Sequence, residues 1–196
     1  MVSVVMASTV VALSLAHCHE ERDDGSETAV AGGSDTPPYP DEWKTTLEEA
    51  TSKASFPLVL PDVPLANGQN LTAVYLYPDR VAVAMLFPPS EPEKAVRQRF
   101  IEVWQGVWEG GDPLARFEMD IADDPEAGYV LLDLDEGITA LGVNAHSPSD
   151  DDRANPAFLR FVLRGVDVQV SGGEDLDALV EVANSIIDAA SAEAAA

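Results

Sequence analysis

Residues 157–170 read AFLRFVLRGVDVQV, and this stretch decides the fold. The runs 157–163 and 166–170 are rich in Val, Leu and Phe, which predicts two β-strands. Arg164 and Gly165 separate the two runs, and so short a connection with Gly predicts a tight turn. The carboxyl-terminal part of the chain is therefore expected to contain two antiparallel neighbours of one sheet.

A helix is predicted directly after this hairpin. Apolar residues recur at helical spacing from Leu176 to Ile187, after the Ser-Gly-Gly sequence of residues 171–173. Glu174, Asp175 and Asp177 fall in the first turn, where the helix dipole favours acidic side chains. An amphipathic helix at this position is expected to pack its apolar side on one face of the sheet.

Further elements are predicted upstream of the hairpin. The clearest is a second hairpin, in which residues 71–77 and 81–87 are strands and Pro78-Asp79 supplies the turn. Additional strands are expected near 99–105, 117–121, 129–134 and 137–144, and a short helix is expected over 41–53. The predicted fold class is therefore α+β, a mostly antiparallel sheet with a C-terminal helix packed on one face and a short N-terminal helix.

The first 17 residues, MVSVVMASTVVALSLAH, contain no Asp, Glu, Lys or Arg. A permanent membrane span needs about 20 apolar residues, so this run is marginal as a span. It fits the apolar region of a signal peptide better, and we expect residues 1–17 to be a signal peptide and the protein to be exported.

The end of this segment carries a motif of its own. The sequence Leu15-Ala16-His17-Cys18 resembles the lipobox of bacterial lipoproteins. The resemblance implies that the thiol of Cys18 receives a diacylglycerol and that the signal is cut off just before it. The expected location is then the outer side of the cell membrane, with the lipid on Cys18 as the anchor. The alternative is a secreted protein without a lipid.

A tether and a single domain are expected to follow Cys18. Residues 18–40 are rich in Asp, Glu, Gly, Ser, Thr and Pro, a composition that does not bury enough surface to offset the entropy of ordering. This stretch is predicted to be a flexible acidic tether. Residues 41–190 are predicted to form one α+β domain.

The charge balance narrows the range of partners. The chain has 35 acidic and 11 basic residues, a formal net charge of −24. Such a surface repels phosphates, which excludes nucleic acid as a partner. The acids are spread along the whole chain, and salt screens their mutual repulsion, so we expect a halotolerant protein. The lone cysteine excludes a disulfide framework.

The carboxyl half resembles a bacterial domain family of unknown function, DUF4367. The resemblance rests on Leu159-Arg160-Phe161-Val162, Arg164-Gly165-Val166, Val168-Gln169-Val170 and the helix from Leu176 to Ile187. The upstream segment Phe56-Pro57-Leu58-Val59-Leu60-Pro61 is similar to the opening of the same domain. The resemblance covers about residues 54–188. It implies a domain of exported or membrane-attached bacterial proteins and supplies no catalytic residues.

Candidate site residues are few. On a strand, Trp104 and Trp108 would face the same side, where they would stack on an apolar or sugar ligand or pack in the core. Asp150, Asp151 and Asp152 are weak candidates for a calcium site, since calcium needs several oxygen ligands on one turning loop. The hydrolase candidates are His146 and the carboxylate pairs Asp123 with Asp124 and Glu118 with Asp120.

Two functions are compatible with these features. The first is an exported, lipid-anchored, non-catalytic domain that binds an unknown protein or small molecule, as in envelope sensing. The second is an exported hydrolase that uses acidic loop residues between 112 and 152, with or without calcium. A catalytic constellation is missing from the sequence, which favours the first function; no cofactor is expected.

Overall fold

The computed structural model describes residues 39–65, 68–88, 101–145, 156–172 and 175–195. The elements in these ranges are β1 (Lys44–Thr45), α1 (Leu47–Lys53), β2 (Ala73–Leu76), β3 (Ala82–Phe87), β4 (Ile101–Val107), α2 (Pro113–Asp123), β5 (Val130–Asp133), β6 (Thr139–Val143), β7 (Ala157–Leu163), β8 (Val166–Gly172) and α3 (Leu176–Ala195). Short 3-10 turns lie at Asp41–Trp43 and Asp135–Gly137. No helix in the described ranges is long and apolar enough to cross a membrane.

The eight strands of the described ranges form one antiparallel sheet in the order β1-β2-β3-β4-β8-β7-β6-β5. Strands β1 to β4 make one meander and strands β5 to β8 make another. The two meanders join where β4 pairs with β8 along its whole length, from Ile101 opposite Gly172 to Val107 opposite Val166. The middle of the sheet is therefore built from segments that are far apart in sequence.

One face of the sheet carries the main hydrophobic core. Alternate side chains of β3, β4, β7 and β8 point into it, and they are almost fully buried. Helix α3 covers β7 and β8 on this face, and α1 lies beside β2. We call this side the core face. The arrangement confirms the predicted α+β class, with a C-terminal helix on one face of an antiparallel sheet and a short helix near the start of the domain.

The turn between β7 and β8 confirms the prediction made from residues 157–170. Leu163 lies opposite Val166, so the connection consists of Arg164 and Gly165 alone. Their φ angles are 54° and 80°, both in the left-handed region. A two-residue hairpin with positive φ at both positions matches the twist of the flanking strands, which explains why Gly occupies the second position.

The prediction of a strand over 117–121 is wrong, because these residues lie inside α2. The helix begins with strong local signals: Asp112 accepts a hydrogen bond from the Leu114 amide at 3.1 Å, and Pro113 occupies the first turn. Arg116 and Asp120 then form an ion pair one turn apart, at 2.9 Å. An N-cap residue followed by Pro thus outweighs the strand preference of Phe117 and Ile121.

The prediction of one helix over 41–53 is only partly correct. Helix α1 begins at Leu47, and the residues before it form a 3-10 turn and the short edge strand β1. Thr46 is the N-cap, and its hydroxyl accepts a hydrogen bond from the amide of Glu49 at 3.1 Å. Lys44 lies opposite Tyr75, so the free edge of β2 provides the preceding residues with a pairing partner.

Candidate functional site

The sheet face opposite α3 carries a half-buried group of polar and aromatic side chains at its centre. We call this side the second face and the group the central strip. The strip comprises Trp104 on β4, Gln169 and Ser171 on β8, and Phe158 and Arg160 on β7. All five residues are partly exposed, whereas their neighbours along each strand are buried in the core face.

Strand register places these side chains next to one another. Trp104 lies opposite Gln169, and Gln169 lies opposite Arg160, so the three form one row across the sheet. Ser171 lies opposite Phe158 in the next row. Directly opposed residues of antiparallel strands have Cβ atoms about 5 Å apart, so a single small ligand would reach several of them.

An N-terminal segment, residues 39–43, covers the second face on one side of the strip. We call this segment the strap. Its Tyr39 ring lies 5.1 Å from the ring of Tyr75, and its Trp43 ring lies 4.8 Å from the ring of Tyr77. Beneath the strap, Tyr75 and Ala84 are fully buried. The strap therefore completes a second, smaller hydrophobic cluster on this face.

The strap is also attached by a polar contact. The Tyr39 hydroxyl donates a hydrogen bond to the carboxylate of Glu102, which lies opposite Ser171 beside the central strip. Burial raises the pKa of Glu102, while the hydrogen bond from Tyr39 lowers it, and burial dominates. Burial and the adjacent Glu102 carboxylate raise the pKa of the Tyr39 hydroxyl, so Tyr39 remains a hydrogen-bond donor.

The raised pKa of Glu102 predicts that the stability of the folded protein depends on pH. Because its pKa is raised in the folded protein, protonation favours folding. Its contribution is complete below its unfolded pKa of about 4.3 and is lost as pH rises through the folded pKa. Glu102→Gln keeps an acceptor for Tyr39 and removes the ionisation. We therefore expect the variant to gain stability over the natural chain as pH rises from about 4 to 7.

Chemical denaturation across this pH range checks the prediction. Glu109→Gln is the matched control, because it makes the same change of net charge at an exposed position. A stability difference for Glu102→Gln that does not change with pH would contradict the role of burial.

The other side of the strip is bounded by α2. The Arg160 guanidinium makes two hydrogen bonds to Asp167, from Nε at 2.9 Å and from Nη2 at 2.7 Å. Its Nη1 lies 3.9 Å from a carboxylate oxygen of Asp120 on α2. Arg160 also lies over the ring of Trp108, at 5.2 Å from the centroid, and Trp108 contacts Phe117 of α2 edge to face. Arg160 thus connects α2 to the sheet.

The pairing of Arg160 with Asp167 and Asp120 determines the net charge of the strip. Arg160 is its only cationic residue, and 23% of that side chain is exposed. Asp167 is buried and accepts both strong hydrogen bonds, and Asp120 adds a second negative charge nearby. The positive charge is therefore already balanced within the protein, so the strip is not suited to capture an anion.

The two tryptophans predicted to share a side have different surroundings. The ring of Trp104 lies along β4 over Gly106, where an added Cβ would come within 2.5 Å of the indole. Trp108 follows the end of β4, and its Nε1 donates a hydrogen bond to the Gly111 carbonyl at 2.8 Å. Both lie on the second-face side, but Arg160 already covers the Trp108 ring. Trp104 is thus the better placed of the two for a ligand.

The predicted carboxylate pairs lie within the described residues, where one of the four acids is ion-paired and three are exposed. Asp120 is engaged by Arg116 and Arg160, while Glu118, Asp123 and Asp124 are exposed on or just after α2. Among the residues that the structure describes, no three His, Cys, Asp or Glu side chains are close enough to hold a metal ion. The calcium candidates Asp150, Asp151 and Asp152, together with His146 and Cys18, lie outside the described residues.

Sequence reasoning missed most of the strip. Arg160 and Gln169 were visible as polar residues inside otherwise apolar strands, which is the pattern of a half-buried face. Tyr39 fell in the range predicted as tether, and nothing in its local sequence indicates that it packs on a sheet. Glu102 gave no signal either, because its burial depends on the strap.

In comparisons with known proteins, no family model matches this chain, and no curated protein or solved structure matches it significantly.

Proposed function

We propose that this protein is an exported, lipid-anchored, non-catalytic domain that binds a small neutral ligand on the central strip. The observation that carries the proposal is a partly open, mixed polar and aromatic strip at the centre of the second face, bounded by the strap on one side and by α2 on the other. Ligand sites typically combine apolar and aromatic walls with a few polar groups that set orientation.

The side chains of the strip favour a particular ligand chemistry. Trp104 and Phe158 offer aromatic surface, and Ser171 offers a hydroxyl for hydrogen bonds. The Nε2 of Gln169 donates a hydrogen bond to Asp167 at 3.4 Å, so its second N–H and its amide oxygen are the groups that a ligand would use. Arg160 is neutralised by Asp167, and the chain as a whole repels anions. A neutral ligand with an apolar face and hydroxyl edges satisfies these conditions, and a neutral saccharide is such a ligand.

Binding is tested by titrating the uniformly ¹⁵N-labelled domain with triacetylchitotriose and recording amide spectra. We expect shifts of the Gln169 side-chain amide and the Trp104 indole, and about a tenfold loss of affinity in Gln169→Ala, since a lost hydrogen bond to ligand costs about 1 kcal/mol or more. Asn70→Ala is the matched control, because it removes an exposed amide outside the second face. Absence of any shift on the strip would contradict saccharide binding.

The anchor is a separate part of the proposal, supported by the apolar leader and by Cys18 in its lipobox-like context. Metabolic labelling with a palmitate analogue in a bacterial host is expected to mark the natural chain and not Cys18→Ala. Two or more acyl chains would give stable attachment, where a single chain would be reversible. Recovery of both chains unlabelled would favour the alternative of a secreted protein.

The hydrolase alternative has less support. This alternative places the site on acidic residues between 112 and 152. Among the carboxylates that the structure describes, the one whose pKa is raised by burial is Glu102, which lies outside that range. Asp120, the one partly buried acid of α2, is paired with arginines. The relation to DUF4367 stays a prediction.

A further inference from the structure

The outermost strand at the far end of the sheet, β5, has an exposed edge. In the ranges that the structure describes, β5 pairs with β6 and no strand pairs with its other side. An unpaired edge presents backbone N–H and C=O groups that are ready to pair with another chain. Natural proteins usually protect such an edge with charged or covering groups. The side chains and charges at the edge therefore indicate which kind of chain could pair with it.

The edge carries apolar side chains on both sheet faces. Val130 is 43% exposed and Leu131 is 39% exposed. Val130 lies opposite Gly142, and Leu131 lies opposite Leu141, so the two consecutive side chains point to opposite faces. An added strand would therefore bury an apolar side chain on each face at once.

The chain segment that contains β5 carries charges of one sign. Residues 117–145 contain no Lys or Arg and eight acids: Glu118, Asp120, Asp123, Asp124, Glu126, Asp133, Asp135 and Glu136. Asp133, Asp135 and Glu136 are exposed at the end of β5 and in the turn that follows it. A second copy of this chain would bring the same acids edge to edge, and like charges directly opposite one another are destabilising.

We propose that the free edge of β5 binds an extended, Lys- or Arg-bearing segment of a partner protein, which adds a ninth strand to the sheet. Backbone hydrogen bonds to the edge provide affinity, the partner's apolar residues cover Val130 and Leu131, and its basic residues face Asp133 and the neighbouring acids. The exposed acids Asp133, Asp135 and Glu136 favour a basic partner and oppose self-association. This surface is separate from the central strip, so it does not depend on the ligand proposed there.

The test uses the capped peptide KKVVVKK as the probe and amide spectra of the labelled domain as the measurement. We expect the largest shifts at Val130 to Asp133, and weaker binding in about 1 M salt, where the screening length falls to about 3 Å. The peptide KKVPVKK has the same charge but lacks a central N–H, and EEVVVEE has the opposite charge. Both are expected to leave the β5 amides unshifted.

A pair of variants separates edge pairing from general attraction between opposite charges. Leu131→Lys is expected to weaken binding of KKVVVKK about tenfold, because it removes apolar contact and places like charges together. Val81→Lys makes the same change of net charge at an exposed site near β3, at the other end of the sheet, and is expected to bind as the natural chain does.

Three results would overturn the proposal. The first is no shift of the β5 amides, and the second is equal weakening by Leu131→Lys and Val81→Lys. The third is a concentration-dependent shift of β5 in the absence of peptide, with dimers detected by sedimentation, which would make a second copy the occupant. A spectrum of free Leu131→Lys that matches the natural chain away from β5 confirms that the variant is folded.

Discussion

Deletion of residues 174–196 is expected to leave a chain that no longer folds as a soluble monomer. Helix α3 supplies seven buried side chains to the core face: Leu176, Leu179, Val182, Ala183, Ile186, Ile187 and Ala190. Burial of a large aliphatic side chain contributes about 1.5–3 kcal/mol, so the five larger ones together contribute about 10 kcal/mol. That sum is comparable to the whole stability of a typical domain, about 5–15 kcal/mol.

Circular dichroism and light scattering measure the outcome of this deletion. The matched control is removal of residues 191–196 alone, which lie beyond the last buried position and include exposed residues. This shorter deletion retains Ala190, whose carbonyl accepts a hydrogen bond from Arg164, and is expected to change stability by about 0.5 kcal/mol at most. A folded, monomeric product of the longer deletion would show that α3 is not needed to cover the sheet.

Gln105→Ala is expected to cost about 3–5 kcal/mol of stability. Gln105 is fully buried on the core face of β4. Its side-chain oxygen accepts a hydrogen bond from the Val59 amide at 3.0 Å, and its side-chain nitrogen donates one to the Val59 carbonyl. Truncation leaves both backbone groups buried without a partner, and each such group costs about 1–3 kcal/mol.

The control for this variant is Gln169→Ala, which removes the same side chain from the neighbouring strand on the half-exposed second face. Its expected effect on stability is below about 1 kcal/mol, because the hydrogen bond it loses is a long one, to Asp167 at 3.4 Å, and Asp167 keeps both hydrogen bonds from Arg160. Urea denaturation of both variants measures the difference. If the two substitutions cost the same, the hydrogen bonds from Gln105 to the backbone of Val59 are not important for stability.

Local sequence was sufficient for the elements whose signals are local. The β7–β8 hairpin needed a two-residue turn with Gly, and α3 needed a helical period of apolar residues with acids at its start. Both signals act over a few neighbouring residues. The hairpin formed where the sequence predicted it, and α3 begins at Leu176 as predicted but continues past Ile187 to Ala195. The prediction of a strand at 117–121 was wrong because stronger local signals, at Asp112 and Pro113, specify a helix there.

The residues of the candidate site are brought together by strand pairing and not by local sequence. Trp104, Gln169 and Arg160 are adjacent only because β4 pairs with β8 and β8 with β7 in one register. Glu102 and Tyr39 are 63 positions apart in the chain, and their hydrogen bond exists only when the strap lies on the sheet. A sequence pattern shows that a strand contains a polar residue, but not which residues of other strands stand beside it.

The amino-acid sequence by itself determined the strongly acidic character, the hairpins and the amphipathic C-terminal helix, because these depend on composition and on contacts between near neighbours. The tertiary structure alone decided which face of the sheet is closed by α3, where the strap and α2 leave the central strip open, and which strand is left at the edge. These features arise from pairing across long chain separations, and the side chains they bring together have no shared local signal.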